Sequence, residues 1–276
     1  MRNISIYREQ YKNSFASLLK HPILLAPDII FSLLSVGVAI FVLKALGVLA
    51  LLTEISGMED SAMVIPLVYT FLKENIIKLL FSVVLFFMGT FVVGTTLSGT
   101  KFAMVRDLIS NKKPSFKKGL ADSKKYFWRI IGIKILTVFA YIVGTLASVI
   151  IFGVFTPINQ KVAIGIALVL GTILYLVIQL SLFFKFPILY KKNTSSYETI
   201  KMSYHFFKAN KKFTLVVACI VAVTLLVINQ IFKLIFVLLK TPSVFLFTLT
   251  GIIGILATMF TIIYTFSVFE KYKSKQ

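Results

Sequence analysis

The sequence predicts an all-α polytopic membrane protein. Six transmembrane helices form three hairpins arranged as parallel repeats, each led by a cytoplasmic interfacial amphipathic helix. Three observations lead there. Hydrophobic residues make up 58% of the 276 residues, charged residues only 14%, and mean hydropathy is +0.92. A soluble domain has about 45–50% apolar and about 25% charged residues. Runs long enough to cross a bilayer, about 20 apolar residues, recur six times, at 23–51, 76–97, 127–155, 162–189, 213–239 and 244–269. Finally, the basic residues fall on alternate connections, so the net charge of +20 reads as the positive-inside pattern and not as a nucleic-acid surface.

Taken in order, residues 1–22 hold Arg2, Arg8, Lys12 and Lys20 against Glu9, with Tyr7, Tyr11, Phe15 and Leu18 at helical spacing. They form the first interfacial helix. The run at 23–51 is longer than a signal-peptide core and contains Asp28, so it is read as a span, long enough to tilt or to project outward. The connection 53–75 carries Glu54, Glu59, Asp60 and Glu74 against Lys73, and its apolar patch at 63–72 is an outer interfacial helix or an extension of the second span. In that span Gly89, Gly94 and Gly99, with Thr90 and Thr95, offer small residues at a spacing that lets helix backbones approach.

The interfacial helix at 114–126 bends into the third span. Phe116, Leu120, Ser123 and Phe127 share one side of a 100° wheel, and Lys117, Lys118, Lys124 and Lys125 the other. After the short turn at 156–161, the fourth span shows a second close-packing edge in Ala163, Ala167 and Gly171. Ser195 and Glu198 have capping-box spacing and open the third interfacial helix, 196–211. There Tyr197, Ile200, Tyr204 and Phe207 make the apolar side and Glu198, Lys201, His205, Lys208 and Lys212 the polar side. The fifth and sixth spans are joined by a tight turn, Lys240-Thr241-Pro242-Ser243. Four basic residues at the N-terminus, nine in 101–129, six in 191–212 and Lys271, Lys273 and Lys275 in the tail face Lys73, Lys161 and Lys240 on the other connections. Both termini are therefore expected in the cytoplasm, in the cytoplasmic membrane.

The two better-formed leading helices share a spacing, Leu120-x-x-Ser123-x-x-Tyr126-Phe127 and Ile200-x-x-Ser203-x-x-Phe206-Phe207, and Lys101-Phe102 and Lys185-Phe186 mark the ends of the spans before them. On these motifs the chain resembles poorly characterised prokaryotic six-span membrane proteins related to the membrane domain found beside glycerophosphodiester phosphodiesterases. The resemblance implies mainly the six-span fold. Gln276 is followed by no phosphodiesterase catalytic domain, so that activity is not expected to carry over.

Chemistry is sparse. His21 and His205 lie at membrane edges, there is no HExxH, Walker-type loop or paired-carboxylate cluster, and Cys219 stands in an apolar run. No catalytic, cofactor or metal residue is assigned, and the sequence points away from an enzyme. Intramembrane polar residues are costly and are functional candidates by default. Asp28 and Lys134 sit at similar depths and either pair between hairpins or reach the interface singly. Gln179, Asn229, Gln230 and Lys233 lie deeper; they hydrogen-bond between helices or line a polar cavity that accepts an anionic group.

The function expected is that of a non-enzymatic membrane protein, lipid-interacting or a scaffold for membrane assembly. Its anionic-lipid contacts would be Lys117, Lys118, Lys124, Lys125, Lys201, Lys208 and Lys212. The alternative is the permease subunit of an export-type ABC transporter whose ATPase is a separate chain. Its partners are anionic lipid head groups in the first case and a protein in the second, with nucleic acid in neither.

Overall fold

The computed structural model describes residues 2–58, 61–157, 160–239 and 244–273, and every regular element among them is helical. The helices are α1 (Arg2–Lys20), α2 (Ala26–Ala45), α3 (Val48–Ser56), α4 (Val64–Ile109), α5 (Phe116–Phe155), α6 (Gln160–Ser181), α7 (Lys185–Lys192), α8 (Ser196–Ala209), α9 (Lys211–Leu239) and α10 (Val244–Lys273), with short 3-10 turns at Pro22–Leu25 and Ser61–Met63. Six helical stretches among the described residues are long and apolar enough to cross a membrane, with mean hydropathy between 2.1 and 2.5. The chain is a multi-pass membrane protein.

Several boundaries differ from those expected, each for a local reason. The first run does not continue as one helix to residue 51. Gly47 adopts φ +75, a conformation that costs other residues more, and the chain restarts there as α3. The patch at 63–72 proves to be an extension of the second span, since α4 is unbroken over 46 residues. The leading segment before the third span is not a separate, bent helix but the first turns of α5, which runs 40 residues. No proline interrupts it. Conversely, the fourth run is broken after Ser181. Pro187 cannot donate to a preceding carbonyl, so it is placed in the first turn of the new helix α7. The 240–243 turn, Glu59, Asp60, Ile158, Asn159 and Lys275 lie outside the described residues.

The chain forms two compact units. In the smaller, Ala26–Ser98, a Cβ on Gly94 would lie 3.0 Å from the Phe31 ring, so this glycine admits α2 against α4, whereas Gly89 meets nothing within 4 Å. The larger unit, Met1–Leu25 with Gly99–Gln276, contains the buried core. That core lies at one end of its spans, where the end of α4, the start of α5, α7, α8, the start of α9 and the second half of α10 converge. Half of the α10 apolar window is buried, against at most 11% in the other five, so α10 is the post on which this end is built. Phe102 stacks on Phe186 at 4.3 Å, bringing together the two Lys-Phe pairs seen in the sequence. A Cβ on Gly99 would sit 3.0 Å from that of Ser123, and one on Gly171 3.0 Å from Ser148 Oγ. Small residues thus carry the tightest helix contacts.

Candidate functional site

The two acids of the 101–129 connection are absorbed structurally. Arg106 Nη2 contacts Asp122 at 2.6 Å and Asp107 at 2.7 Å, and Lys118 Nζ reaches Asp107 at 2.8 Å, clamping the end of α4 to the start of α5. Lys118 is thereby engaged. The other predicted contact lysines, Lys117, Lys124, Lys125, Lys201, Lys208 and Lys212, are exposed.

The shape of α8 shows what lies beside them. Its N-terminus carries the expected capping box, with Glu198 N–H donating to Ser195 Oγ and Ser195 N–H to the Glu198 carboxylate. Its protein-facing side combines small polar residues with larger apolar ones: Thr199 and Ser203 are buried, and Met202 and Phe206 pack on the core. Ser203 Oγ donates to Ser181 O at 2.7 Å, satisfying a carbonyl at the break between α6 and α7. Tyr197 and Tyr204 are 67% and 48% exposed, and at 100° per residue they adjoin Lys201 and Lys208. The start of α5 repeats the arrangement. Gly119, Ser123, Tyr126 and Ile130 face protein, while Trp128, 76% exposed, stands among Lys117, Lys124 and Lys125. In α1, Ile6, Gln10, Ser14 and Leu18 are buried, while Phe15 and Leu19 are left open on the side of Arg8 and Lys12. Tyr7 and Tyr11 of the expected apolar face turn instead toward α9 and α10, within 6.1 Å of the Phe213 ring and 4.8 Å of the Phe260 ring.

A groove of about 990 Å³ opens where α1, the α8–α9 junction and the end of α10 meet. Arg8, Lys208, Lys211 and Lys212 line it together with Tyr7, Tyr11 and Tyr272, and Phe213, Val216 and Ile220 continue its wall along α9. Tyr272 donates to Asn210 Oδ1 at 2.8 Å, fixing the junction from which α9 begins. Burial, and then the nearby Tyr272 hydroxyl, push the Tyr7 phenol above its ordinary value, so it remains a donor. Close by, the hydroxyls of Thr214 and Tyr264 are buried without a hydrogen-bond partner among the described residues, and the Tyr264 ring lies 5.8 Å from that of Tyr11. A buried hydroxyl left unpaired costs about 1–3 kcal/mol.

The intramembrane candidates are more scattered. Asp28 lies in the first turn of α2, where a carboxylate suits the helix N-terminus, and Lys134 lies half-buried in α5. Gln179 donates to Tyr175 one turn earlier in its own helix, at 3.0 Å. Asn229, Gln230 and Lys233 are exposed on α9. Lys185, at the break, instead reaches Thr137 Oγ1 at 3.1 Å. The structure therefore gathers Lys208 and Lys212 into one place and adds Arg8, Lys211, Tyr7, Tyr11 and Tyr272, none of which the sequence had marked as a contact residue. The run Asn210-Lys211-Lys212-Phe213, basic residues at a helix start, was the available signal. No family model, curated protein or solved structure matches the chain.

Proposed function

We propose that the protein is a non-enzymatic multi-pass component of the cytoplasmic membrane that holds anionic lipid on a basic inner surface. One observation carries this reading: exposed aromatic side chains and exposed lysines share the outward side of α8 and of the start of α5. Aromatic rings at head-group depth beside cations are the chemistry of an interfacial surface. Near anionic lipid each such lysine contributes about 1 kcal/mol. The three basic-led hairpins are read as parallel repeats, with both termini on the cytoplasmic side. Its role would then lie in envelope lipid handling or assembly.

The experiment is thermal unfolding of the purified protein in mild detergent, titrated with phosphatidylglycerol or with phosphatidylcholine. A ligand that binds the native state raises the midpoint in proportion to its affinity. Phosphatidylglycerol is expected to raise it well above phosphatidylcholine, and the difference is expected to shrink in high salt. Equal effects of the two lipids, together with a copurifying ATPase, would instead favour the permease reading.

A further inference from the structure

We propose that the groove between α1, the α8–α9 junction and α10 is a site for one anionic phospholipid, its phosphate at the start of α9 and an acyl chain along Phe213, Val216 and Ile220. The inference rests on the lipid reading above and gives it a defined place.

Charge selects the head group. Four cations, Arg8, Lys208, Lys211 and Lys212, line this single groove, and no carboxylate is among its described lining residues. Three of the four flank the first turn of a 29-residue helix, α9. The amides of a first turn have no partner inside the helix, and the helix dipole favours an anion there. The cations and the helix end therefore act on the same point. The hydroxyls of Tyr7, Tyr11 and Tyr272 edge the same space.

The wall below selects a lipid over a soluble anion. From Phe213 to Ile220 it descends α9 for roughly 10 Å at 1.5 Å per residue. That helix is apolar and long enough to cross a membrane. A free phosphate would use the cations and leave this apolar strip uncovered, whereas a phospholipid covers both.

Native mass spectrometry of the full-length protein from mild detergent, with phosphatidylglycerol, phosphatidylcholine or inorganic phosphate as the added probe, tests the proposal. The wild type is expected to retain one phosphatidylglycerol and to release phosphatidylcholine readily. The triple change Lys208→Gln, Lys211→Gln, Lys212→Gln should weaken retention roughly fivefold per lysine, on the order of a hundredfold in all. Lys44→Gln with Lys73→Gln, outside both the groove and the basic surface, should leave the retained lipid in place. Val216→Trp, which fills the apolar strip, should lower lipid retention without removing a charge.

Retention unchanged in the triple variant would overturn the groove as the site. So would inorganic phosphate binding as tightly as the lipid, because the occupant would then be a free anion. If wild type retains no lipid while phosphatidylglycerol still raises its unfolding midpoint selectively, the groove proposal fails and the surface reading stands. If the selective midpoint shift is absent as well, both fail.

Discussion

Gly132 lies in α5 directly under the start of α8, and replacing it with alanine probes how closely these two helices are packed. An ideal Cβ at this position would lie 2.9 Å from Ser196 Cβ and closer still to its Oγ, nearer than real Cβ atoms approach. Ser196 cannot simply rotate away without loss, because its Oγ donates to Arg129 O at 2.9 Å. Arg129 in turn holds the preceding loop through Asn193, at 2.7 Å to its side chain and 3.0 Å to its carbonyl. The start of α8 must therefore retreat, or these contacts must loosen. Overpacking of this kind costs about 1–3 kcal/mol. At about 2–4 °C per kcal/mol, the unfolding midpoint should fall by several degrees.

The assay is thermal unfolding in mild detergent, with Gly165→Ala as the control. A Cβ at Gly165 meets nothing within 4 Å, so alanine there should be neutral or stabilising by up to about 1 kcal/mol. Ser196→Gly removes both clashing atoms. Alone it forfeits one hydrogen bond, roughly 1 kcal/mol, but combined with Gly132→Ala it should restore most of the loss. A harmless Gly132→Ala, or a double variant whose effects merely add, would refute the reasoning.

A further outcome follows from the packing of α8. Ser203→Ala removes the donor to Ser181 O at the α6–α7 break, with Ser203 only 1% exposed, and should destabilise by about 1–3 kcal/mol; a shift under half a kcal/mol in chemical denaturation would contradict that role.

Which elements were legible in the sequence follows from what each depends on. The six spans are dictated by length and hydrocarbon thickness alone, and the capping box at Ser195 and Glu198 is a contact within four residues. Gly47 and Pro187 were visible too, but their effect depends on whether the surrounding run tolerates a break, and here both runs do break. The leading helices were harder. In water the apolar side of an amphipathic helix is the side that packs on protein, yet α8 packs through Thr199 and Ser203 as well as Met202 and Phe206, and leaves the apolar Tyr197 and Tyr204 open. In a membrane, lipid competes for apolar side chains, so small and weakly polar residues take the helix contacts. The groove was the least legible. Arg8, Lys212 and Tyr272 are more than two hundred residues apart from first to last, and only packing on α10 brings them together.

The central claim, that the basic surface sits against anionic lipid, is most directly tested at Trp128. It is the single tryptophan of the chain and is uncovered beside Lys124 and Lys125. In proteoliposomes of mixed lipid, its fluorescence should be quenched more strongly by brominated phosphatidylglycerol than by the same fraction of brominated phosphatidylcholine. Lys124→Gln with Lys125→Gln should reduce that preference. Equal quenching by the two lipids in the unaltered protein would contradict the account.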